Sequence, residues 1–246
     1  MIEGLTIVMP YYDSPEMLQF HLGNWERLPD EYCSGIEVII VDDGSPTYPA
    51  LDVVADMPGP DFPVRVYRIL ENIPWNHAGA RNLGMSVANS GWILMTDIDH
   101  HLSVGNIMDL REQSLDPQKI YQVERVEMLS RTERNPINPH TDSFLLTKRM
   151  FWDIGGYDED LTGFWNGPFQ PFRRASKKWS KWHLLKGPYL MRFDNRVIPD
   201  ANVTEWDRKG GKYDIKQNPT MLKKQQAAIL DYKPKNPIRF EWKQVI

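Results

Sequence analysis

The chain lacks the features of membrane-spanning and disulfide-stabilised proteins. Its 246 residues include one cysteine, Cys33, which excludes an internal disulfide and a cysteine metal cluster. No apolar run approaches the roughly 20 residues that a helix needs to cross a bilayer. The sequence starts Met1-Ile2-Glu3-Gly4 and runs directly into an apolar strand, without the basic flank and cleavage site of a signal peptide. We therefore expect a soluble cytoplasmic protein with no transmembrane segment.

Internal repeats and low-complexity tracts are absent as well. The composition, with 41% hydrophobic and 25% charged residues, is typical of an ordinary globular protein. A chain of this length is long enough to bury one sizeable α/β core and too short for two full domains of that kind. We predict a single domain that spans residues 1–246.

Charge is distributed unevenly along the chain. Residues 1–172 carry 11 Lys/Arg and 26 Asp/Glu, a net charge of −15, whereas residues 173–246 carry 18 and 7, a net charge of +11. Such an asymmetry is typical of proteins that meet a polyanion, such as nucleic acid or an anionic surface. Docking of the basic C-terminal region on the acidic part would produce the same asymmetry.

Short β-branched apolar runs alternate with helical patterns in the first half of the chain. This order predicts an α/β fold with a mostly parallel central sheet, whose ligand site lies at the carboxyl ends of the strands. The pattern weakens beyond Ile120, and from Tyr232 onward it indicates an extended tail. The predicted strands are Leu5–Met9, Ile36–Val41, Val64–Leu70, Trp92–Thr96 and Tyr121–Leu129, and the predicted helices are Pro15–Leu28, Ala78–Asn89, Lys148–Ile154 and Gln217–Asp231.

Aspartates follow three of the predicted strands. Asp13 comes after the first strand, Asp42 and Asp43 after the second, and Asp97 and Asp99 after the fourth. Any one of them alone is typical of a helix cap or a turn, but the fold should bring all three clusters into one crevice. Two carboxylates in an Asp-x-Asp pattern suit Mg²⁺ or Mn²⁺ with a diphosphate as the remaining ligand.

These motifs together resemble the family 2 glycosyltransferases and their GT-A relatives. Four motifs occur in the family's order over about the first 100 residues, and a fifth resembles its acceptor-side segment, in which a short helix leads into Gly-Gly-Phe-Asp-Glu. The resemblance covers about two thirds of the chain and implies a GT-A fold. The segments that carry it are Thr6–Asp13, Glu37–Ser45, Ala78–Gly84, Asp97–Asp99 and Lys148–Glu159.

The resemblance also implies which residues hold the nucleotide. Pro10, Tyr11 and Asp13 would form the floor under the nucleoside, and Asp42 or Asp43 would hold the base or the ribose. Carboxylates accept hydrogen bonds from uracil N–H groups and from ribose hydroxyls. A nucleoside diphosphate sugar, with uridine as the nucleoside, is therefore the expected partner.

Three further residues are assigned by the resemblance to the diphosphate and the metal. Arg81 would approach the base or the diphosphate, Asp97 would face the ribose and the metal, and Asp99 would ligate Mn²⁺ or Mg²⁺ directly. A metal at this position stabilises the charge that develops on the leaving diphosphate. His100 and His101 are candidates for an additional ligand, although a histidine beside an Asp-x-Asp motif more often lies outside the coordination sphere.

The resemblance fails where the family places its general base. The family has a Glu-Asp pair beyond Gly-Gly-Phe-Asp-Glu, but residues 163–170 read Gly-Phe-Trp-Asn-Gly-Pro-Phe-Gln. An acceptor hydroxyl usually needs a positioned base to take its proton. The nearest catalytic candidates are Asp158, Glu159 and Asp160, with Asp194 further away. A base supplied by the acceptor and a domain without catalytic activity are the alternatives.

A strongly basic segment follows this gap. Residues 173–186 contain six cations, two tryptophans and no acid. Cations interleaved with aromatic rings suit a nucleic-acid strand, whereas Trp179 and Trp182 three residues apart also suit an amphipathic helix packed on the core. The candidate acceptor-binding residues are Trp165, Asn166, Arg173, Arg174, Lys177 and Lys178.

The sequence therefore predicts a metal-dependent transferase of sugar from a nucleoside diphosphate sugar to an acceptor hydroxyl, with inversion implied by the resemblance. Residues 1–140 would bind the nucleotide sugar and residues 141–246 the acceptor, which is either a hydroxylated DNA base or a glycan. A non-catalytic nucleotide-sugar-binding module is the main rival. A sugar-phosphate nucleotidyltransferase would need a glycine-rich loop after the first strand, where this chain has Pro10-Tyr11-Tyr12-Asp13.

Overall fold

The computed structural model describes residues 2–89, 91–202, 211–235 and 237–246. Its strands are β1 (Leu5–Tyr11), β2 (Ile36–Asp42), β3 (Val64–Ile69), β4 (Trp92–Met95), β5 (His100–His101), β6 (Ile120–Met128), β7 (Arg134–Ile137), β8 (Phe144–Thr147), β9 (Trp182–Arg192) and β10 (Trp242–Gln244). Its helices are α1 (Pro15–Trp25), α2 (Asp30–Cys33), α3 (Ala50–Ala55), α4 (His77–Val87), α5 (Val104–Arg111), α6 (Lys148–Ile154), α7 (Phe169–Ser176) and α8 (Pro219–Leu230). None of these helices is long and apolar enough to cross a bilayer.

All the described strands join one sheet. The order is β10-β3-β2-β1-β4-β8-β6-β9-β5, and β7 pairs with β6. Strands β1 to β4 run parallel to one another, as do β6 and β9. Strands from both sides of residue 140 therefore hydrogen-bond within a single sheet. The predicted α/β fold with a mostly parallel central sheet is confirmed.

Strands β1 and β2 lie at the centre of the sheet because their residues are apolar on both faces. Every residue of β2 is buried, and so are all but one of β1. Helix α1 packs its apolar side, which includes Leu18 and Leu22, on one face, and α4 covers the other. The register pairs Tyr11 with Asp42, so both strands end at the same edge of the sheet. The loops that follow them therefore meet there.

Helix α4 approaches β1 closely through a glycine. A Cβ atom at Gly84 would lie 2.3 Å from Cγ1 of Val8, a distance that real packing does not allow. The glycine thus lets the helix backbone settle against the strand. This close approach also brings the N-terminal turn of α4, with Arg81, to the carboxyl edge of the sheet.

The structure corrects the sequence prediction in three places. A helix, α3, lies between β2 and β3, as a parallel pair of strands requires a crossover. The basic segment is not one helix, because α7 ends at Ser176 and Trp182 begins β9. The predicted extended tail returns to the sheet, where β10 pairs antiparallel with β3 and Phe240 is buried.

We predict that Gly84→Ala destabilises the protein by about 1–3 kcal/mol, because the added methyl group overpacks the contact with Val8. The matched control is Gly105→Ala in α5, where an added Cβ atom meets nothing within 4 Å. That change should be neutral or stabilising, since alanine favours helix more than glycine does. Urea unfolding measures both free energies. Equal effects of the two substitutions would contradict the proposed close packing of α4 on β1.

Candidate active site

A cleft of about 220 Å³ opens at the carboxyl edge of β1, β2 and β4. The start of β8 lies at the same edge because β8 runs antiparallel to β4. The cleft brings together eight of the residues predicted from the sequence: Pro10, Tyr11, Asp43, Arg81, Asp97, Asp99, Trp165 and Asn166.

Asp13 and Asp42, which the resemblance assigned to the nucleotide, do not line the cleft. The Oδ1 atom of Asp13 accepts hydrogen bonds from the backbone N–H groups of Thr47 and Tyr48, at 3.1 and 2.8 Å. Asp42 accepts from the N–H groups of Ser45 and Ala50, at 2.8 and 3.1 Å. Both carboxylates therefore hold the loop after β2 in shape, which is the turn-forming role that aspartate often has.

Asp43 is the aspartate of this pair that faces the cleft. The residue is 7% exposed, Asn76 interacts with its carboxyl group, and its Oδ1 atom has no hydrogen-bond partner among the described residues. Burial raises the pKa of Asp43 well above its ordinary value. A buried polar atom without a partner usually marks a place where a ligand supplies the missing hydrogen bond.

Arg81 is the central cation of the site. Its guanidinium is buried and contacts Asp97 through Nη2, while Nη1 donates to the Tyr157 hydroxyl at 3.2 Å and lies 3.4 Å from Oδ1 of Asp142. Burial opposes the charge of Asp97, but the attraction of Arg81 and then of the nearby histidines outweighs it and lowers the pKa of that carboxyl. Asp97 is therefore held ionised.

Asp97 and Asp99 lie in a tight turn between β4 and β5. The N–H of His100 donates to the carbonyl oxygen of Asp97 at 3.0 Å. The Nδ1 atom of His100 lies 2.5 Å from Oδ1 of Asp99, and Nη1 of Arg125 lies 3.1 Å from Nε2. Because arginine can only donate, Nε2 accepts in the contact with Arg125, and Nδ1 donates to Asp99. His100 thus orients Asp99, and its attraction outweighs burial to lower the pKa of Asp99.

A group that fits a metal ion lies beside this turn. Asp97, His100 and His140 each offer a ligand atom, and these atoms lie within 4.8 Å of one another. Burial lowers the pKa of His140 to about 4, so its ring is neutral at pH 7 and keeps a lone pair for a metal. Asp99 lines the cleft but stands outside this group. His101, the other candidate ligand, is buried against His21 and does not line the cleft.

The far wall of the cleft is aromatic. It includes Phe164, Trp165 and Phe169, and Asn166 lies among them in a left-handed backbone conformation, with φ of 62°. The N–H of Trp165 donates to the carbonyl oxygen of Tyr213 at 2.7 Å, which fixes this wall from outside. Non-glycine residues with such a conformation are often found at binding sites.

The three carboxylates predicted as catalytic candidates, Asp158, Glu159 and Asp160, do not line the cleft. Asp158 caps a short 3₁₀ turn, and Asp160 pairs with Lys224 and Arg239. Glu159 is buried and accepts hydrogen bonds from Asn82 and from backbone N–H groups of the C-terminal segment. Asp194, the more distant candidate, pairs with Arg196 and is not in the cleft lining either.

The cations predicted to bind the acceptor also lie outside the cleft lining. Arg173 packs its guanidinium over the rings of Phe169 and Trp182. Three further cations are exposed: Arg174 lies near the C-terminal end of α7, and Lys177 and Lys178 follow that end. Of the proposed acceptor residues, Trp165 and Asn166 alone line the cleft within the described part of the chain.

Several residues of the cleft were not predicted from the sequence. The clearest are His140 and Asp142, which precede β8, and Tyr157, which contacts Arg81. Burial raises the pKa of Asp142 to about 7, against the attraction of Arg81, whose Nη1 atom lies 3.4 Å from Oδ1. One sequence signal could have identified His140 and Asp142, namely a His-Thr-Asp sequence directly before a short apolar run. If that run is a strand antiparallel to β4, its first residues lie at the carboxyl edge of β4 and so at the site.

We predict that Arg81→Met destabilises the fold by about 3–5 kcal/mol at neutral pH, because the ionised Asp97, whose side chain is 20% exposed, would lose its cation. Arg81 lowers the pKa of Asp97, so the pair stabilises the fold above the ordinary carboxyl pKa of about 4 and loses this effect as the pH falls. The difference in unfolding free energy between wild type and Arg81→Met should therefore become smaller as the pH falls. Urea unfolding from neutral to acid pH measures this difference. The double variant Arg81→Met with Asp97→Asn should recover part of the stability that Arg81→Met loses. A deficit that does not vary with pH would contradict the prediction.

The sequence matches a known protein family. The model of the family "Glycosyl transferase family 2" matches residues 6–195. No curated protein matches the sequence.

The fold is similar to that of solved transferase structures. Residues 1–349 of S. aureus TarS in complex with UDP give a TM-score of 0.56 at 16% identity, over 78% of this chain and 60% of that one. The same TarS fragment in complex with UDP-GlcNAc gives 0.56 at 12% identity, over 94% and 73%. The mannosyltransferase PcManGT from Pyrobaculum calidifontis, in complex with GDP-Man and Mn²⁺, gives 0.56 at 14% identity, over 76% and 56%.

The chain spans about three fifths of the length of two of these structures, with covered shares of 60% and 56%. At such low identities the similarity shows the fold, and it confirms the GT-A fold implied by the motifs. The family match covers well over half of the chain. The chain belongs to the family 2 glycosyltransferases.

Proposed function

We propose that this chain transfers a sugar from a UDP-sugar to an acceptor hydroxyl with the help of a divalent metal ion. The observation that carries the proposal is one cleft that combines the Oδ1 atom of Asp43, which has no hydrogen-bond partner among the described residues, with the ligand group of Asp97, His100 and His140. The first suits a nucleoside and the second a metal-bound diphosphate. The solved relatives that hold UDP, UDP-GlcNAc or GDP-Man with Mn²⁺ support the same assignment.

The nucleoside would lie against the ends of β1 and β2. Pro10 and Tyr11 form the floor, and the Tyr11 hydroxyl is already engaged with the carbonyl oxygen of Tyr48 at 2.6 Å, so the ring is held in place. The free Oδ1 atom of Asp43 accepts the N–H of the base. Arg81 is paired with Asp97, so its main effect is to position that carboxylate rather than to bind the base.

The metal would be held by Asp97 and His140, completed by His100 or Asp99. His100 takes part only if Asp99 or Arg125 releases one of its ring nitrogens, because both are engaged. Imidazole nitrogen suits Mn²⁺ better than Mg²⁺, which prefers oxygen ligands. The bound ion supplies positive charge to the departing diphosphate. The protein's own residues keep Asp97 ionised and His140 neutral, as ligation requires.

The acceptor would enter along the aromatic wall. Trp165 and Phe164 offer ring faces at the opening of the cleft, and Asn166 offers an amide for a hydroxyl group. These groups suit a carbohydrate acceptor, and we expect transfer with inversion, as the family resemblance implies. A hydroxylated DNA base has less support, because the basic segment chosen for it does not line the cleft.

A nucleotide-sugar-binding module without catalytic activity is the second candidate. It is favoured by the absence of the Glu-Asp pair in residues 163–170 and by the structural contacts of Glu159. The two candidates share the nucleotide and metal sites. They differ in whether a sugar leaves the diphosphate.

The binding half of the proposal predicts that Asp43→Asn weakens UDP binding in Mn²⁺ by about tenfold to a hundredfold, because an NH₂ donor replaces one of the two carboxyl oxygens that can accept from the base. Asp42→Asn is the matched control: it should cost about 1–3 kcal/mol of stability and leave the affinity of the folded protein unchanged. Calorimetry with UDP, and with GDP for comparison, measures both variants. Equal UDP affinities of wild type and Asp43→Asn would overturn the nucleotide site.

The catalytic half is tested by a screen of UDP- and GDP-sugars against glycan, protein and hydroxymethylated DNA acceptors, read by mass spectrometry. Sugar transfer, or hydrolysis of the donor, supports the enzyme. Tight UDP binding without turnover of any donor would favour the non-catalytic module instead. Sugar found on the hydroxymethylated DNA would identify a DNA base as the acceptor and contradict the proposed carbohydrate acceptor.

For the metal, we predict that wild type binds Mn²⁺ more tightly than Mg²⁺ in the presence of UDP, and that His140→Ala weakens Mn²⁺ binding by at least about tenfold. The loss of an imidazole ligand should hardly change Mg²⁺ binding. His183→Ala is the control, because His183 lies on β9 beside Tyr121 and outside the ligand group. Metal titrations followed by thermal shift report both ions. An unchanged Mn²⁺ affinity in His140→Ala would remove His140 from the site.

A further inference from the structure

A short turn between α7 and β9 projects the most basic part of the chain into solvent. We call residues 177–181, Lys177-Lys178-Trp179-Ser180-Lys181, the basic tip. Its three lysines are exposed, and Trp179 is 54% exposed. Backbone hydrogen bonds from Trp179 and Ser180 to the carbonyl oxygen of Ser176 close the turn at the end of the helix. The tip is thus a well-formed protrusion with a large aromatic ring on its surface.

The cations of this region form no ion pair with an acid in the described part of the chain, and Arg173 packs on aromatic rings instead. In the described ranges of the chain, none of the six cations in residues 173–186 lies within ion-pair distance of an acid. Elsewhere, exposed cations such as Lys119 and Lys233 do pair with nearby acids. The positive charge of the basic tip is therefore available to an anionic partner.

The two tryptophans of the segment have different environments. The Trp182 indole N–H donates to Ser176 Oγ at 2.8 Å, and its ring is covered by Arg173 and by Phe144. Trp179 alone presents its ring to solvent. Leu184 is also exposed, at 48%, and lies in β9 about 10 Å along the chain from Lys181. The basic tip itself therefore combines one exposed aromatic ring with three exposed lysines.

We propose that the basic tip binds the surface of an anionic lipid bilayer. Tryptophan favours the boundary between headgroups and acyl chains because its ring is apolar and its N–H is polar. Lysines flanking it are attracted to acidic headgroups. A single-stranded nucleic acid would instead need several rings to stack successive bases along a groove, and Trp182 is covered. A convex turn with one exposed ring fits a lipid surface better.

This contact does not use the cleft. Helix α7 begins at Phe169 in the cleft wall and ends at Ser176, about 12 Å further along its axis. The basic tip lies beyond that end. Bilayer binding can therefore succeed or fail independently of the proposed glycosyl transfer, and variants of the tip should leave UDP binding unchanged.

The test is flotation of the full chain with vesicles of phosphatidylcholine alone or with about a third phosphatidylglycerol. We expect binding to the acidic vesicles only, weakened by salt. Each lysine near an acidic surface strengthens binding about fivefold, so Lys177→Ala with Lys178→Ala and Lys181→Ala should weaken it about a hundredfold. Trp179→Ala should weaken it about tenfold, because the apolar contact is lost.

The control is Arg131→Ala with Lys235→Ala and Lys243→Ala, which removes the same charge from exposed positions outside the basic tip. It should reduce binding far less. All of these side chains are exposed, so thermal unfolding should not change. Equal loss in the two triple variants, or no loss in Trp179→Ala, would overturn the proposal. Binding to single-stranded DNA without binding to acidic vesicles would also overturn it and restore the nucleic-acid interpretation.

Discussion

The buried guanidinium of Arg81 is the constraint on which the cleft depends. A charge taken out of water is costly unless charged and hydrogen-bonding partners surround it. Arg81 finds these partners on three separate parts of the chain, Asp97 after β4, Asp142 before β8 and the Tyr157 hydroxyl. Helix α4 carries the cation to this point because Gly84 lets it pack closely on β1. The position of the Asp-Ile-Asp turn is thus a consequence of satisfying one buried charge.

The same pairing leaves the site ready for a further cation. Arg81 faces two aspartates, and Asp99 adds a third carboxylate on the same turn. His140 contributes no positive charge, since burial lowers its pKa to about 4. Negative charge with neutral imidazole is the donor combination that a divalent metal requires. The electrostatics that hold the loops together and those that would bind the metal therefore belong to one arrangement.

The strand ends could be predicted from the sequence because parallel strands bring their carboxyl ends to one edge, and Asp43, Asp97 and Asp99 indeed line the cleft. The individual roles of these aspartates could not be predicted. Asp42 and Asp43 are adjacent in sequence, and only the backbone N–H groups of the loop after β2 distinguish the structural one from the free one. His140 was missed because it precedes an antiparallel strand, whose contribution to the edge requires knowledge of the pairing with β4.

The carboxylates after Gly-Gly-Tyr show why proximity to a family motif is a poor guide to catalysis. Glu159 accepts hydrogen bonds from Asn82 of α4 and from the N–H groups of Ile238 and Arg239, nearly 80 residues further along the chain. It therefore joins the C-terminal segment to the helix that carries Arg81. A buried carboxylate that accepts three such hydrogen bonds and does not line the cleft serves to join parts of the chain. Its contribution to the site is to fix α4, and through α4 the cation around which the cleft is assembled.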